Sequence, residues 1–351
     1  MSGGVDSSVA AALLADAGHE VVGCTLRLWG GDSDSGCCSA SDVDDARRVA
    51  QELGIDHHVF NLADEFEAAV VAPYVEAHAR GETPNPCVAC NREIKFDSLL
   101  ARARRLGFGA LATGHHARVT PGADGAELRR GSDRAKDQSY VLGFLGAAAL
   151  SRVLLPVGEM TKGAVRARAA ALGLRTADKP DSQEVCFIPR GARRAFLASR
   201  TELSAAKVVD AGTGESIGAV PAAQLVTVGQ RRGLGHGPDG EPRFAVDVDV
   251  ATSTITVARR DEAVVDDLFL APGSLRWARR IPSDGQELYV QTSAHGEPVH
   301  ARFTLGSSPV LTLSRPVRPV AAGQLAVFYD AADPDLVLGA AVVARRGISV
   351  T

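Results

Sequence analysis

A glycine turn and six cysteines are the residues of this sequence best suited to covalent chemistry. The turn is the opening segment MSGGVDSS, in which Gly3 and Gly4 let the backbone approach a ligand closely. A helix predicted to begin near Ser7 would add unpaired N–H groups and the positive end of its dipole. Ser2 and Ser8 would add hydroxyl groups. The segment lacks the lysine of a Walker A loop, so it predicts a phosphate site of another kind.

The cysteines fall into distinct contexts. Cys24 lies in an apolar run, and we expect it in the core. The others are Cys37 and Cys38 in SGCCSA, Cys87 and Cys90 in TPNPCVACNREIKF, and Cys186 in KPDSQEVCFIP. A zinc site usually needs two paired knuckles, and only Cys37 and Cys38 could complete the C-x-x-C pair. We therefore predict no metal centre, and structural zinc stays open as an alternative. A thioredoxin-type redox pair is a weaker alternative.

Length and composition place the chain among soluble globular proteins. Its 351 residues suggest two or three domains, and 45% are hydrophobic against 23% charged. No apolar run approaches the roughly 20 residues of a membrane span, and the N-terminus lacks a secretory signal pattern. We expect a cytoplasmic protein without membrane association, whose cysteines stay reduced unless chemistry requires otherwise.

The net charge of −4 hides an asymmetry along the chain. Residues 1–67 hold 13 acidic and 3 basic side chains, so the remainder is net positive. The basic clusters are Arg129, Arg130, Arg134 and Lys136; Arg190, Arg193 and Arg194; and Arg279 and Arg280. Arginine clusters suit phosphate backbones, although a solvated surface explains them equally well at this stage.

The first half alternates between helical and strand periodicity, which predicts a parallel sheet flanked by helices. The predicted helices are 7–17, 41–54 with Ser41 as N-cap, 64–80 and 92–107, and the predicted strands are 20–29, 57–62 and 109–114. Gly18 and Gly54 are the expected helix stops, and the Pro/Cys-rich stretch before residue 92 is expected to be a loop. From about residue 205, short β-branched runs such as 243–260 and 323–330 predict antiparallel strands in small sheets or a barrel.

Several strings occur in the order found in one known family. They are MSGGVDSSVAA, GCCS, TPNPCVACNREIKF, LATGHHAR, KDQSYVL, KPDSQEVCFIP, VTVGQRRGLG and GQLAVFYD. The first resembles the loop of PP-loop ATP pyrophosphatases, which split ATP between the α- and β-phosphates. Together they resemble the tRNA-specific 2-thiouridylase family over essentially the whole chain. The first strand that normally precedes such a loop is absent ahead of Ser2, so we expect the natural start to lie upstream of Met1.

The resemblance implies a fold and domain limits. It implies an α/β class with a parallel-sheet PP-loop domain of the adenine nucleotide alpha hydrolase type. A small β-rich central domain and a C-terminal antiparallel β-barrel would follow. The implied limits are 1–195 for the PP-loop catalytic domain, 196–265 for the central domain and 266–351 for the barrel.

The resemblance also implies an activity, the replacement of the C2 oxygen of the wobble uridine of tRNA by sulfur. ATP would adenylate the oxygen, with Mg²⁺ arriving as MgATP, and AMP would then leave. By matched position, the ATP-binding residues are Met1, Ser2, Gly3, Gly4, Val5, Asp6, Ser7, Ser8, Leu26 and Gly114. Asp6 would cap the turn or hold Mg²⁺.

The matched thiols are Cys186, which would carry a persulfide, and Cys90, the second catalytic thiol. Cys90 would attack the inner persulfide sulfur, releasing hydrosulfide and leaving a Cys90–Cys186 disulfide, or would attack the activated base carbon directly. The sequence leaves both routes open. The matched target-base residues are Asn85, Pro86 and Cys87, and the matched tRNA-contacting residues are His115, Lys136, Asp137, Gln138 and Gln324.

Persulfide chemistry implies a partner, either a cysteine desulfurase or a sulfur-relay protein. Two other classes of function stay open on the residues alone. Another PP-loop adenylating ligase would not need two reactive cysteines. A noncatalytic RNA-binding protein would bind tRNA without forming AMP.

Overall fold

The structure is a computed structural model that describes residues 1–29, 39–181, 185–278 and 281–345. Cys37, Cys38, Arg279, Arg280 and the 182–184 part of KPDSQEVCFIP therefore lie outside the described residues. The described chain forms an α/β part, a small mixed sheet and a C-terminal antiparallel sheet, which agrees with the predicted fold class. Among these residues no helix is both long enough and apolar enough to cross a membrane.

The α/β part alternates helices with short strands. Its helices are α1 (Val5–Asp16), α2 (Ala40–Glu52), α3 (Ala63–Phe66), α4 (Ala72–Ala79), α5 (Pro86–Ala89), α6 (Leu100–Arg105), α7 (Ala147–Leu150), α8 (Lys162–Ala171) and α9 (Arg193–Ala198). Its strands are β1 (Val22–Arg27), β2 (Asp56–Asn61), β3 (Leu111–Ala112), β4 (Ala117–Gly122), β5 (Gly125–Arg130) and β6 (Val153–Leu154). β1 pairs with β2 and β3 with β6, both in parallel, as the alternating periodicity predicts.

The ends of α1 and α2 follow local rules, with one correction. Gly18 and Gly54 adopt φ values of 81° and 65° just after these helices, as predicted for helix stops. The predicted N-cap Ser41 is wrong, because α2 begins earlier and Ser39 caps it. The Ser39 hydroxyl accepts the N–H of Asp42 at 3.1 Å, while Ser41 already lies inside the first turn.

The Pro/Cys-rich stretch that we expected to be a loop is helical. α5, a π-helical segment (Cys90–Leu99) and α6 form one continuous helical segment over 86–105, hereafter the Cys90 helix. Asn85 caps it by accepting the N–H of Cys87 at 3.0 Å, and Pro86 occupies the first turn, where its missing N–H costs nothing. The cap starts this helix six residues before the predicted position, so both cysteines lie on it.

A four-stranded sheet follows, with order β8-β7-β10-β9. Its strands are β7 (Ala206–Asp210), β8 (Ser216–Val220), β9 (Phe244–Asp249) and β10 (Thr254–Ala258). We expected antiparallel strands here, but β10 pairs with β7 in parallel. The long connection between β8 and β9 carries the chain from one edge of the sheet to the other. β10 then turns back from β9 and lies beside β7. Arg243 and Asp210 form a buried ion pair at 2.5 Å inside this sheet.

The C-terminal strands form an antiparallel sheet that closes on itself. They are β11 (Val265–Phe269), β12 (Arg276–Trp277), β13 (Glu287–Gln291), β14 (Val299–Thr304), β15 (Val310–Val317), β16 (Leu325–Asp330) and β17 (Val337–Val342). Their order is β11-β15-β14-β13-β16-β17-β12. Backbone hydrogen bonds of 2.8 Å from Ala271 to Val342 and from Ala344 to Phe269 join the end of β11 to the end of β17, which is next to the last strand of this order. This closure makes the sheet a barrel, as predicted.

The barrel and the α/β part share one hydrophobic core, hereafter the shared core. Leu128, Tyr140 and Leu142 of the α/β part pack there with Val327 and Tyr329 of the barrel, and all five are nearly inaccessible. The Tyr140 hydroxyl donates to the backbone oxygen of Leu325 at 2.9 Å across the boundary. The barrel therefore packs against the α/β part through buried hydrophobic side chains and is not joined to it by a flexible linker alone.

Arginines that we considered for phosphate binding are engaged at this same boundary. Arg129 pairs with Asp333 and Arg134 with Asp335, both in the loop between β16 and β17. Arg118 reaches Asp335 at 2.9 Å, and β5 meets the loop in an isolated bridge from Arg129 to Leu336. Part of the predicted RNA-facing charge is thus used to hold two domains together.

Gly143 tests how tightly that boundary is packed. A Cβ at this position would lie 2.7 Å from Cγ1 of Val327, so Gly143→Ala should lower the unfolding free energy by about 1–3 kcal/mol through overpacking. Denaturant unfolding of Gly109→Ala provides the control, because a Cβ at Gly109 meets no atom within 4 Å. The double variant Gly143→Ala/Val327→Ala should lose less than the sum of the two single losses. Strict additivity would contradict the packing contact.

Candidate active site

The glycine turn leaves the start of α1 open to an anion. Gly3 has φ 70°, and a Cβ there would lie 2.4 Å from the carbonyl oxygen of Asp42, so only glycine fits. Gly4 is the N-cap, and no side chain among the described residues caps α1 there. The hydroxyls of Ser7 and Ser8 donate to the Gly4 carbonyl at 3.1 and 2.9 Å. The first-turn N–H groups are therefore available to phosphate oxygens, as the sequence predicts.

The residue before the turn is fixed on β1. The amino group of Met1 donates to the carbonyl of Cys24, and the hydroxyl of Thr25 donates to the carbonyl of Met1 at 2.7 Å. Burial lowers the pKa of the Met1 amino group. These contacts hold Ser2 and the glycine turn at the edge of β1.

Gly114, predicted as a nucleotide contact, packs directly on the turn. A Cβ at this position would lie 2.6 Å from both the carbonyl carbon of Asp6 and the nitrogen of Ser7. The residue follows β3, so the carboxyl end of that strand meets the start of α1. Ligands of parallel α/β sheets bind at this edge.

Asp6 is the centre of a charged network beneath the turn. Its two carboxylate oxygens accept hydrogen bonds from Nζ of Lys162 at 2.8 and 2.7 Å, and one also contacts Nε2 of His116 at 3.0 Å. Burial raises the pKa of Asp6, but the bonds to His116 and Lys162 outweigh it, so the pKa lies below its usual value. Asp6 therefore remains charged and engaged by protein groups.

Lys162 continues the network to a second carboxylate. It lies 2.8 Å from Asp181, which also pairs with Lys136 at 2.9 Å and Arg166 at 3.0 Å. Burial of Asp181 is overcome by hydrogen bonds from Lys162 and Lys136, and its pKa falls to about 2. Three cations thus converge on a single carboxylate next to the glycine turn.

The sequence motifs did not point to Lys162, yet a signal for it exists. It is the first residue of α8, directly after the N-cap Thr161. A cation at a helix N-terminus opposes the helix dipole, so a lysine there requires anions nearby. Its side chain is only 12% exposed, and Asp6 and Asp181 supply those anions.

The KDQ motif, predicted to contact tRNA, already makes internal contacts. Asp137 pairs with Arg130 at 2.9 Å, and its oxygens accept from the N–H of Gly131 and from the N–H and hydroxyl of Ser139. Gln138 accepts the N–H of His116 at 2.8 Å. The Lys136 side chain remains 41% exposed beside its pairing with Asp181. Gln138 is exposed as a residue, so both Lys136 and Gln138 present surface to a ligand, whereas the carboxylate of Asp137 is used inside the protein.

His115 lies in the same loop but is buried. Its Nδ1 is 2.8 Å from the hydroxyl of Thr113, and its ring packs 5.9 Å from that of Phe96. Burial, followed by repulsion from Lys95 and His116, lowers the pKa of His115 to about 3. At neutral pH the ring is uncharged, so any contact with tRNA is a hydrogen bond and not an ion pair.

The two thiols singled out from the sequence belong to one hydrophobic cluster, hereafter the thiol cluster. Cys90 is 8% exposed and packs there with Phe187 and Ile188. Cys186 and Leu26 pack against the same cluster as partly buried members. Cys90 and Cys186 are almost a hundred positions apart in sequence, and Leu26 lies near the end of β1. The fold places all three at this one cluster.

Aromatic rings support the segment that carries Cys186. Its neighbour Phe187 is 1% exposed and contacts the rings of Phe66, Tyr74 and Trp29 at 5.5, 5.6 and 5.9 Å between centroids. Such contacts fix the backbone next to the thiol. By contrast, Cys87 lies on the exposed side of the Cys90 helix. Among the described residues, no group of three or more His, Cys, Asp or Glu is arranged to hold a metal ion.

The buried His115 predicts how stability depends on pH. An unfolded histidine has a pKa of about 6.5, so between that pH and about pH 3 the unfolded chain binds one more proton at this residue. Stability is therefore lost as the pH falls through this window, by about 2 kcal/mol at pH 5. In urea unfolding at pH 7 and pH 5, His115→Gln should lose less stability on acidification than the parent. An equal loss in both would contradict the buried, neutral ring.

Three family models match consecutive parts of the chain. The model described as tRNA methyl transferase HUP domain matches residues 1–190. Those described as tRNA methyl transferase PRC-barrel domain and Aminomethyltransferase beta-barrel domain match residues 194–259 and 270–343. The matches follow the α/β part, the mixed sheet and the barrel in order.

Curated relatives named tRNA-specific 2-thiouridylase MnmA align with nearly the full chain. The one from Mycolicibacterium paratuberculosis is 45% identical over 98% of this chain and 97% of its own. Those from Mycolicibacterium vanbaalenii and Acidothermus cellulolyticus are each 46% identical over 98% of this chain, covering 97% and 96% of their own. Identity of this extent shows that the chain belongs to the tRNA-specific 2-thiouridylase family.

Proposed function

We propose that this protein is a tRNA-uridine 2-sulfurtransferase that replaces the C2 oxygen of the wobble uridine with sulfur. The observation that supports the proposal is that Cys90 and Cys186 belong to one thiol cluster, against which Leu26 also packs. β1 therefore links the thiols to the glycine turn, because Leu26 lies in the same strand that anchors Met1.

The printed names of the matches differ in the group that is transferred. The family models mention methyl transfer, whereas the relatives mention thiolation. Methyl transfer requires neither a pair of thiols nor an anion-binding turn for a nucleotide that is to be cleaved. The thiol cluster and the open start of α1 together favour sulfur.

ATP fits the glycine turn as a substrate. The uncapped N–H groups of α1 and the hydroxyl of Ser2 supply donors for phosphate oxygens, while Gly4 carries no side chain at the turn. The uridine C2 oxygen would attack the α-phosphorus, forming an O–P bond as pyrophosphate departs. Lys162 would stabilise the charge that develops on the phosphates. Mg²⁺ would enter as MgATP, with the phosphates as ligands, because Lys162 and His116 already occupy Asp6.

The thiols then supply sulfur. A persulfide on Cys186, delivered by a cysteine desulfurase or a sulfur-relay protein, carries the terminal sulfur. In one route the Cys90 thiolate attacks the inner sulfur, and hydrosulfide leaves with the electron pair of the S–S bond. Hydrosulfide attacks C2, AMP departs, and a cellular thiol reductant later reduces the Cys90–Cys186 disulfide. In the other route Cys90 attacks the activated C2 directly and AMP departs. The terminal sulfur of the Cys186 persulfide then displaces Cys90 from C2, and the freed Cys90 thiolate attacks the inner sulfur, which releases the thiolated base and leaves the same disulfide. In the structure both residues are thiols, the reduced state.

The remaining predicted contacts would hold tRNA around this centre. Asn85, Pro86 and Cys87 begin the Cys90 helix and would face the base. Lys136 offers an exposed ammonium for a phosphate, and neutral His115 offers a hydrogen bond. Asp137 would act by fixing its loop, since its carboxylate is engaged inside the protein. Gln138 holds the N–H of His116 with its amide oxygen and, as an exposed residue, would also reach tRNA.

Substitution of single thiols tests the reaction. With tRNA, ATP, Mg²⁺ and a persulfide donor, Cys186→Ser should lower the thiolation rate by at least about a thousandfold, because the sulfur carrier is gone. Mass analysis of the wobble nucleoside measures oxygen-to-sulfur exchange and separates it from methylation. Cys24→Ser is the matched control and should retain activity, since burial raises the pKa of Cys24 and keeps it a thiol.

Comparison of Cys87→Ser with Cys90→Ser assigns the second thiol. We expect only Cys90→Ser to abolish thiolation, and the reverse result would show the assignment to be wrong. A different outcome would indicate another adenylating ligase. In that case the parent would exchange no sulfur, and Cys186→Ser would convert ATP to AMP as fast as the parent. Binding of tRNA without AMP formation in the parent would indicate a noncatalytic protein.

Lys162 should matter for the nucleotide half-reaction. Lys162→Gln removes the cation from the phosphate site, and pyrophosphate release should fall by about 10²–10³. Arg168→Gln is the control on the same helix, because Arg168 is a partly exposed partner of Asp16 at the surface. An equal fall in both variants would point to damage of α8 and would contradict a specific role for Lys162.

A further inference from the structure

The C-terminal barrel holds the segment that leads into the Cys90 helix. The N–H of Thr83 donates to the carbonyl of Ala322 at 2.8 Å, and the carbonyl of Thr83 accepts the side-chain amide of Gln324. Both partners belong to the turn 321–324, hereafter the barrel turn, which precedes β16. Thr83 thus directs both of its backbone groups toward the barrel.

The two segments approach so closely that a side chain at the contact would press on the backbone of Pro84. Gly323 has φ 89°, and a Cβ there would lie 3.1 Å from the nitrogen and 3.3 Å from the Cα of Pro84. The barrel turn is itself tied to the end of β17. The N–H of Gly323 donates to Val343 at 2.9 Å, and the N–H of Val343 donates to Gln324 at 2.8 Å. The support under Thr83 is therefore rigid.

The chain after Thr83 transmits this position to the thiol. Pro84 and Pro86 flank Asn85, and their rings fix φ, which leaves the segment little slack. Asn85 then caps the helix by accepting the N–H of Cys87 at 3.0 Å. Cys90 follows one turn later. A displacement of Thr83 would therefore shift the cap and the start of the helix.

We propose that the barrel turn is a positioning element of the reaction, which sets Asn85 and Cys90 through its grip on Thr83 and Pro84. The roles of Asn85 and Cys90 in this statement rest on the proposed function. Gln324 thereby acquires a task inside the protein in addition to its predicted contact with tRNA.

The first test needs no substrate. In a Cys87→Ser background, Cys90 is the one thiol of its tryptic peptide, residues 81–92, so its alkylation by iodoacetamide can be followed by mass spectrometry. Gly323→Ala should speed alkylation of Cys90 about tenfold, because a weaker grip on Pro84 lets the segment open more often. Gln324→Glu should act in the same direction, since a carboxylate cannot donate to the Thr83 carbonyl.

Gly273→Ala is the matched control. Gly273 lies in the C-terminal region with φ 76°, so alanine there has a similar backbone strain, but a Cβ would meet no atom within 4 Å. The alkylation rate of Cys90 should stay at the parental value in this variant. Equal rates in Gly323→Ala, Gly273→Ala and the parent would overturn the proposal, as would equal acceleration in both glycine variants. If Gly323→Ala does not fold, Gln324→Glu decides the question by the same comparison.

The second test measures thiolation in the Cys87-containing protein. Gly323→Ala should lower kcat about tenfold and leave KM for tRNA within about twofold, because positioning and not binding is impaired. A raised KM with unchanged kcat would overturn the proposal in favour of a pure tRNA contact. If the parent does not thiolate tRNA, the proposed function is refuted but the positioning role is not. The alkylation rate of Cys90 would still measure how firmly the barrel turn holds Thr83 and Pro84.

Discussion

The Cys90 helix is packed between two cores at once, and the rest of the site depends on this constraint. Val88 and Phe96 belong to the shared core with the barrel, whereas Cys90 and Ile94 belong to the thiol cluster beside Phe187. Close-packed interiors resist small shifts, so the helix cannot move without disturbing one of the two cores. The position of Cys90 is therefore fixed jointly by the barrel and by the segment that carries Cys186.

This constraint gives the β-rich half of the chain a role in holding the Cys90 helix in place. Thr83, just ahead of the helix, contacts Ala322 and Gln324 of the barrel and, at 3.4 Å between hydroxyls, Thr227 of the region around the mixed sheet. All three parts of the chain thus converge just ahead of the Cys90 helix. An α/β nucleotide domain alone would supply the phosphate site but would leave this segment without support.

Many of the basic side chains also serve internal contacts. Arg129, Arg130 and Arg134 are engaged with aspartates at the barrel boundary and in the KDQ motif. Lys162 is held by Asp6 and Asp181 beneath the glycine turn. A cluster of arginines in the sequence therefore does not map the RNA surface, because two of the aspartates that pair with it, Asp333 and Asp335, lie about 200 residues away in the chain.

The sequence by itself determined the local features of this protein. Neighbouring residues are enough to predict the glycine helix stops, the glycine turn, the alternation of helix and strand and the thiols. This is because backbone conformation and side-chain periodicity are short-range properties. Tertiary contacts placed Cys90 and Cys186 in one hydrophobic cluster, paired Lys162 with Asp6 and set β10 parallel to β7. They also decided which polar groups lose contact with water. These outcomes depend on burial and on contacts between distant segments, and no local pattern encodes the free energy of such contacts.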